Sequence, residues 1–249
     1  MKLFRSKAIL LLRTDRKHHS GEHLMQLNTA TYGGESLAVE RNKVLRNTYS
    51  LLALSMLPTA AGALLGISIG FHMTGWMGLL IFMAVAFGSF YAIEKTKESA
   101  LGVFILLGFT GFMGLWLSQM LQVALKFSNG GEMITMAAVG TAAIFFSLSA
   151  VATITKKDFS FLGKFLFIGL VMVILAAIAN IFFAIPALSL AISAVALIIF
   201  SAYILYDVSR IVNGGETNYV SATLQLYLDV YNVFVSLLNI LMMLTGRRD

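Results

Sequence analysis

The fold class this sequence predicts is an all-α polytopic membrane protein, with seven transmembrane helices and a central, polar-striped seventh helix. Three observations carry that reading. Of 249 residues, 58% are apolar and only 12% charged, with a mean hydropathy of +0.84, which is more apolar surface than a soluble domain of this size can hide. The charges are also unevenly spread. Arg46 and Glu94 enclose 47 residues without one, and Lys164 and Asp207 enclose 42, each long enough for two crossings of about 20 residues. Finally, the last apolar segment keeps its polar residues at helical spacing.

The N-terminal stretch sets Lys2, Arg5 and Lys7 before an apolar run, but that run, Ala8 to Leu12, is only five residues long. A cleaved signal needs about 7 to 15, so none is expected. Residues 1–48 read as a basic cytoplasmic tail ending in a short basic helix that enters the membrane. Met25 is an alternative start, which would make 1–24 an upstream extension. His18 and His19 fall in this tail and read as solvated. Residues 49–246 form the transmembrane domain and 247–249 a short C-terminus.

Spans are expected near 49–71, 76–93, 100–125, 133–154, 165–185, 187–206 (continuing past Asp207) and 221–245, each matched to a hydrocarbon thickness of about 30 Å at 1.5 Å per residue. The turn at His72 to Gly75 divides the first long uncharged stretch. Pro186 divides the second, since proline cannot donate within a helix and biases its predecessor away from the α region. With the N-terminus inside, 15 of the 18 bases fall on the cytoplasmic side, and only Lys126, Arg247 and Arg248 fall outside. Counting only Arg41, Lys43 and Arg46 from the tail still leaves nine against three. An N-in, C-out chain follows. The +6 formal charge then reflects topology and contact with anionic lipid, and no nucleic-acid partner is expected.

Gly62, Gly66 and Gly70 on the first span, and Gly108, Gly111 and Gly114 on the third, predict faces where another helix backbone approaches closely. An ionisable group inside a span costs at least about 2.5–3.5 kcal/mol on insertion scales and asks for a partner or a pathway. Two aspartates meet that description. Asp207 lies toward the inner end of the sixth span and Asp229 about two turns into the seventh, at depths of about 6 and 12 Å, so they can lie opposite one another. Gln225, Asp229, Asn232, Ser236 and Asn239 are spaced four, three, four and three residues apart, which keeps them on one face. That face should turn toward other helices or water, with Tyr227 and Tyr231 off it as packing groups or hydroxyl donors. The stripe also reads as interhelical hydrogen-bond glue, and Arg210, three residues after Asp207, as a simple ion-pair partner. Two carboxylates in hydrogen-bond reach at low dielectric cannot both ionise comfortably and would share a proton. Losing it, they would repel or recruit a cation, and hard oxygen ligands suit Ca²⁺, so Asp207 and Asp229 are the candidate metal ligands.

The run from Tyr206 to Leu241, YDVSRIVNGGETNYVSATLQLYLDVYNVFVSLLNIL, together with NKVLRNTYSLL at 42–52 and TKKDFSFLG at 155–163, resembles the transmembrane Bax inhibitor motif family. Within it the likeness runs toward the bacterial modulators of the FtsH-type membrane protease (YccA type). The resemblance implies a seven-helix fold with a central last helix and an aspartate pair at Asp207 and Asp229. It also implies either pH-sensitive calcium leak or binding to the protease complex and its associated membrane proteins in the bacterial inner membrane. Two departures stand out. The family's Asp-Thr-Gln is here Asp207-Val208-Ser209, followed by Arg210. No arginine lies between Arg46 and Glu94, so the second-helix cation of the calcium-leak members has no counterpart in that span.

Three functions compete: a protease-binding modulator acting as a slow substrate, a pH-sensitive cation leak gated by the aspartate pair, and an intramembrane aspartyl protease. Tyr206-Asp207 matches the first motif of the last class. Its second, Gly-x-Gly-Asp, is replaced by Leu226-Tyr227-Leu228-Asp229, bulky where glycine must let a substrate strand approach. A retinal pigment is disfavoured because the seventh span has no lysine for a Schiff base. The expectation is a non-enzymatic modulator with no cofactor beyond a passing or bound Ca²⁺.

Overall fold

A computed structural model describes residues 39–246. The chain divides into two units, Met1–Lys43 and Val44–Asp249. The fold below is that of the second, and of the first only the opening residues of a helix are described. The expectations for the tail before residue 39, for the alternative start at Met25, for His18 and His19, and for residues 247–249 lie outside the described residues.

Among the described residues the secondary structure is helical, without strands. Seven helices are long and apolar enough to span a bilayer: α1 (Val39–Ser68), α2 (Gly75–Thr96), α3 (Ala100–Ala124), α4 (Gly130–Thr155), α5 (Leu162–Phe183), α6 (Pro186–Asn213) and α7 (Tyr219–Thr245). Most run past the expected spans, because helical backbone continues into the interfacial residues once its first turns are nucleated. The largest difference is at α1, where Arg41, Lys43 and Arg46 sit on the spanning helix itself.

The breaks have local causes. After α1, Gly70 at φ 64° ends the helix in a Schellman turn, with the Phe71 N–H donating to the Gly66 carbonyl at 2.8 Å and the Gly70 N–H to Ile67 at 3.2 Å. Gly214 at φ 80° closes α6 the same way, the Gly215 N–H reaching the Arg210 carbonyl at 2.7 Å. Pro186 occupies the first turn of α6, where its missing N–H costs nothing, so the division between α5 and α6 falls where the proline places it.

α7 packs against α2, α3, α4 and α6, whereas α5 packs against α6. The main core gathers around α7, with Leu226, Tyr227 and Val233 against Phe109, Met113 and Ile204. The glycine pattern proves partly right. A Cβ at Gly62 would overlap the Gly111 carbonyl oxygen, one at Gly114 the Thr59 carbonyl, and one at Gly66 the Ser118 side chain, so α1 and α3 approach through these positions. Gly70 and Gly108 are corrections: neither has a neighbour within 4 Å of an added Cβ. Gly70 serves the turn, and Gly108 faces away from the contact.

Candidate functional site at the junction of the sixth and seventh helices

Asp207 lies two turns before the end of α6 and Asp229 nearly three turns after the start of α7, depths of about 9 and 15 Å along the two axes. These exceed the expected values because both helices extend beyond the assumed ends. The carboxyls face each other at hydrogen-bonding reach, and both residues are buried, at 6% and 5% exposure. Asp229 Oδ2 is enclosed without a hydrogen-bond partner among the described residues. Two carboxylates bond directly only when one of them carries a proton.

Arg210 caps the pair from the helix end. Its Nη1 lies 3.8 Å from Asp207 Oδ1 and donates to Gln225 Oε1 on α7 at 3.1 Å. Its Nη2 donates to the Gly215 carbonyl at 3.3 Å and lies 3.9 Å from Glu216 Oε2. Its guanidinium also sits over the Tyr206 ring, 5.6 Å from the centroid. The arginine is therefore more than an i+3 partner, because it joins α6, the following loop and α7. The base beside the aspartates thus comes from α6. Ser209, the other residue of the altered motif, turns away from the aspartates. Its hydroxyl donates to the Lys157 carbonyl at 2.9 Å and accepts from the Phe159 N–H at 3.0 Å, pinning the loop between α4 and α5.

The polar stripe of α7 faces α6 through three of its five members. Gln225 binds Arg210, Asp229 meets Asp207, and Asn239 donates to Ser193 Oγ at 2.7 Å and Ser189 Oγ at 3.3 Å. Asn232 instead donates to the Leu228 carbonyl of its own helix at 2.7 Å, and Ser236 is buried. The tyrosines lie off this face. Tyr227 OH is 2.9 Å from Thr59 Oγ1 and donates to the Thr110 carbonyl at 3.4 Å, and Tyr231 donates to the Met113 carbonyl at 3.4 Å.

Two members of the site escaped the sequence reading. Glu216 accepts from Gln225 Nε2 at 3.4 Å and from the Asn218 N–H at 2.9 Å. Asn218 caps α7 by accepting from the Val220 and Ser221 N–H groups, and reaches across to the Lys97 carbonyl at 3.1 Å. An asparagine ahead of an apolar helix is a recognisable N-cap signal, whereas nothing local to Glu216 marks it. No group of three or more His, Cys, Asp or Glu suited to a metal ion occurs among the described residues. Two carboxylates offer four oxygens at most, short of the six to eight that Ca²⁺ takes.

A family model described as "Inhibitor of apoptosis-promoting Bax1" matches residues 41–246. The protein named "Modulator of FtsH protease YccA" of Escherichia coli K12 is 44% identical over 200 residues, covering 80% of this chain and 90% of its own. An uncharacterized protein of Neisseria meningitidis serogroup A is 40% identical over 213 residues, 84% of this chain and 94% of that one. An uncharacterized membrane protein of Vibrio cholerae is 42% identical over 203 residues, 82% and 90% of the two chains. With the match running from the start of α1 to the end of α7, the chain belongs to the Bax inhibitor-1 family of seven-helix membrane proteins.

Proposed function

We propose that this protein is a multi-pass regulator of the bacterial inner membrane, N-terminus cytoplasmic and C-terminus periplasmic, that binds and modulates an FtsH-type protease complex. The observation that carries the reading is the 44% identity, across 80% of the chain, with a relative named as a modulator of that protease. The N-terminal segment is the part offered to the enzyme, and the core tied together through α7 resists extraction, so the protease is occupied by a slow substrate. Deleting residues 1–40 should abolish co-purification with the protease complex and lengthen the chain's lifetime. Unchanged association and turnover would refute this role for the segment.

A second reading rests on the facing carboxylates of Asp207 and Asp229. Protonated, the pair ties α6 to α7. Deprotonated, it repels, and a passing cation such as Ca²⁺ can take the place of the proton beside Arg210. A resident ion would need more oxygens than the pair supplies. In liposomes, Asp207→Asn and Asp229→Asn should each flatten the difference in Ca²⁺ flux between about pH 6 and about pH 8. An unaltered pH response in both variants would remove the gate from consideration.

A further inference from the structure

Away from the aspartate pair, α1, α3, α4 and α7 enclose a groove of about 630 Å³. Its wall is apolar, and α1 presents Tyr49, Ala53 and Ala60 to it while α4 presents Ala142, Phe145 and Ser149. The three alanines are exposed, so the groove opens sideways between spanning helices, at the depth of the bilayer. At one end two hydroxyls are left over. Ser149 Oγ and Tyr49 OH are both enclosed without a hydrogen-bond partner among the described residues, and Ser149 is only 6% exposed. They belong to the same end, because the Tyr49 ring packs edge-on against Phe145, 5.8 Å away and one turn before Ser149. Buried hydroxyls without partners are costly, so this end of the groove favours an acceptor that enters from outside the fold.

The same end carries positive charge. The groove-lining positions of α1, at 49, 53, 56, 60 and 63, continue backward at the same spacing to Arg46, which is exposed. On α4 the lining positions lead two turns past Ser149 to Lys156, the exposed left-handed C-cap. At 1.5 Å per residue the backbone positions of the two bases stand about 4.5 and about 10 Å beyond those of Tyr49 and Ser149 along the helix axes.

We infer that this groove is a binding site for an anionic glycerophospholipid, with an acyl chain in the apolar cleft, its ester carbonyls at the Tyr49 and Ser149 hydroxyls and its phosphate at Arg46 and Lys156. The order of chemistry along the groove (apolar, hydroxyl donor, cation) follows the order along such a lipid (chain, ester, phosphate). The cleft's volume of about 630 Å³ falls within the range of roughly 300–1,000 Å³ typical of small-ligand sites.

Native mass spectrometry of the full chain, released from membranes containing equal phosphatidylglycerol and phosphatidylethanolamine, tests this. One phosphatidylglycerol should be retained selectively. Ala142→Trp, which fills the cleft from its exposed side, should lower retention about tenfold or more, a free-energy change of about 1.4 kcal/mol. The Arg46→Gln, Lys156→Gln double variant should keep a lipid but lose the preference for the anionic one. Equal retention of both lipids by the unaltered chain, or undiminished retention by Ala142→Trp, would overturn the proposal. A measurement that needs no variant is photocrosslinking with phosphatidylglycerol carrying a diazirine near the ester. Labelling concentrated on the peptides of Tyr49 and Ser149 supports the site. Labelling spread evenly over lipid-facing helices such as α5, or a foreign transmembrane segment crosslinked there instead, refutes it.

Discussion

α5 and α7 are both helices of spanning length, yet they stand in opposite relations to the rest of the molecule. α5 is held by α6, buries Leu166 alone among its residues, and turns Phe165, Phe167 and Phe182 outward. α7 meets α2, α3, α4 and α6 and carries the carboxylate, the amides and the tyrosines that bond its neighbours. The contrast follows from solvent. In a bilayer a fully apolar helix gains little by leaving lipid, whereas a polar-striped one must find partners for its stripe. Polarity therefore selects the central helix here, and apolarity the peripheral one, the inverse of a soluble core.

That contrast can be broken most severely through packing. Leu226→Ala on α7, at a site of 0% exposure, should cost about 2 kcal/mol, the low end of the soluble range because lipid is as apolar as the side chain lost. Phe165→Ala on α5, 71% exposed, should stay within about 0.5 kcal/mol despite deleting more atoms. Unfolding by graded sodium dodecyl sulfate would read both, and equal losses would erase the distinction between the two helices.

The helix ends come next. α7 has a side-chain cap at Asn218, whereas Phe161 at the start of α5 provides none. Asn218→Ala should cost about 1 kcal/mol, seen in the same titration and as faster amide exchange at Val220 and Ser221. At the far end of α5, Ala184 adopts a left-handed conformation at φ 50° and is exposed, so Ala184→Gly should stabilise by about 0.5–1 kcal/mol through relief of that strain. No gain in midpoint would mean the conformation carries little strain.

Smaller effects sharpen the picture. Tyr227→Phe removes the hydroxyl contacts to Thr59 and Thr110 and should cost about 0.6 kcal/mol, typical of an interhelical hydrogen bond in a membrane. Smallest is the loop before α5. The Ser160 hydroxyl and N–H, the latter 2.8 Å from Oδ1, hold the exposed Asp158 carboxyl below its ordinary 3.8. A depressed carboxylate stabilises the fold fully above pH 3.8 and loses that contribution as pH falls through the lowered value. Protection of the Ser160 amide from exchange should decline over that window, become independent of pH in Asp158→Asn, whose amide oxygen still accepts, and be absent in Asp158→Ala.

Much of this was legible beforehand. The charge-free stretches of 47 and 42 residues count the crossings, Pro186 separates α5 from α6, and the four-three-four-three spacing puts the α7 stripe on one face. The rest was illegible for definable reasons. Gly62 and Gly70 look alike in a repeat of four, but one meets the Gly111 backbone and the other ends a helix, a difference made by where α1 stops. Arg210 reads as a local ion pair at i+3, and Glu216 as one acid in a loop. Their joint contact with Gln225 exists only because the loop after Gly214 folds back on α7.

The sequence by itself determined that this chain lives in a bilayer, how many times it crosses, and which helix could not face lipid, because these are transfer free energies summed over contiguous residues. Only the tertiary structure decided which helix receives the stripe, that Asp207 and Asp229 close on one another beneath Arg210, and that a groove remains between α1 and α4 with two hydroxyls unpartnered among the described residues. Those are matters of packing between segments far apart in the chain, and spacing along one helix fixes the face it presents but not the neighbour that meets it.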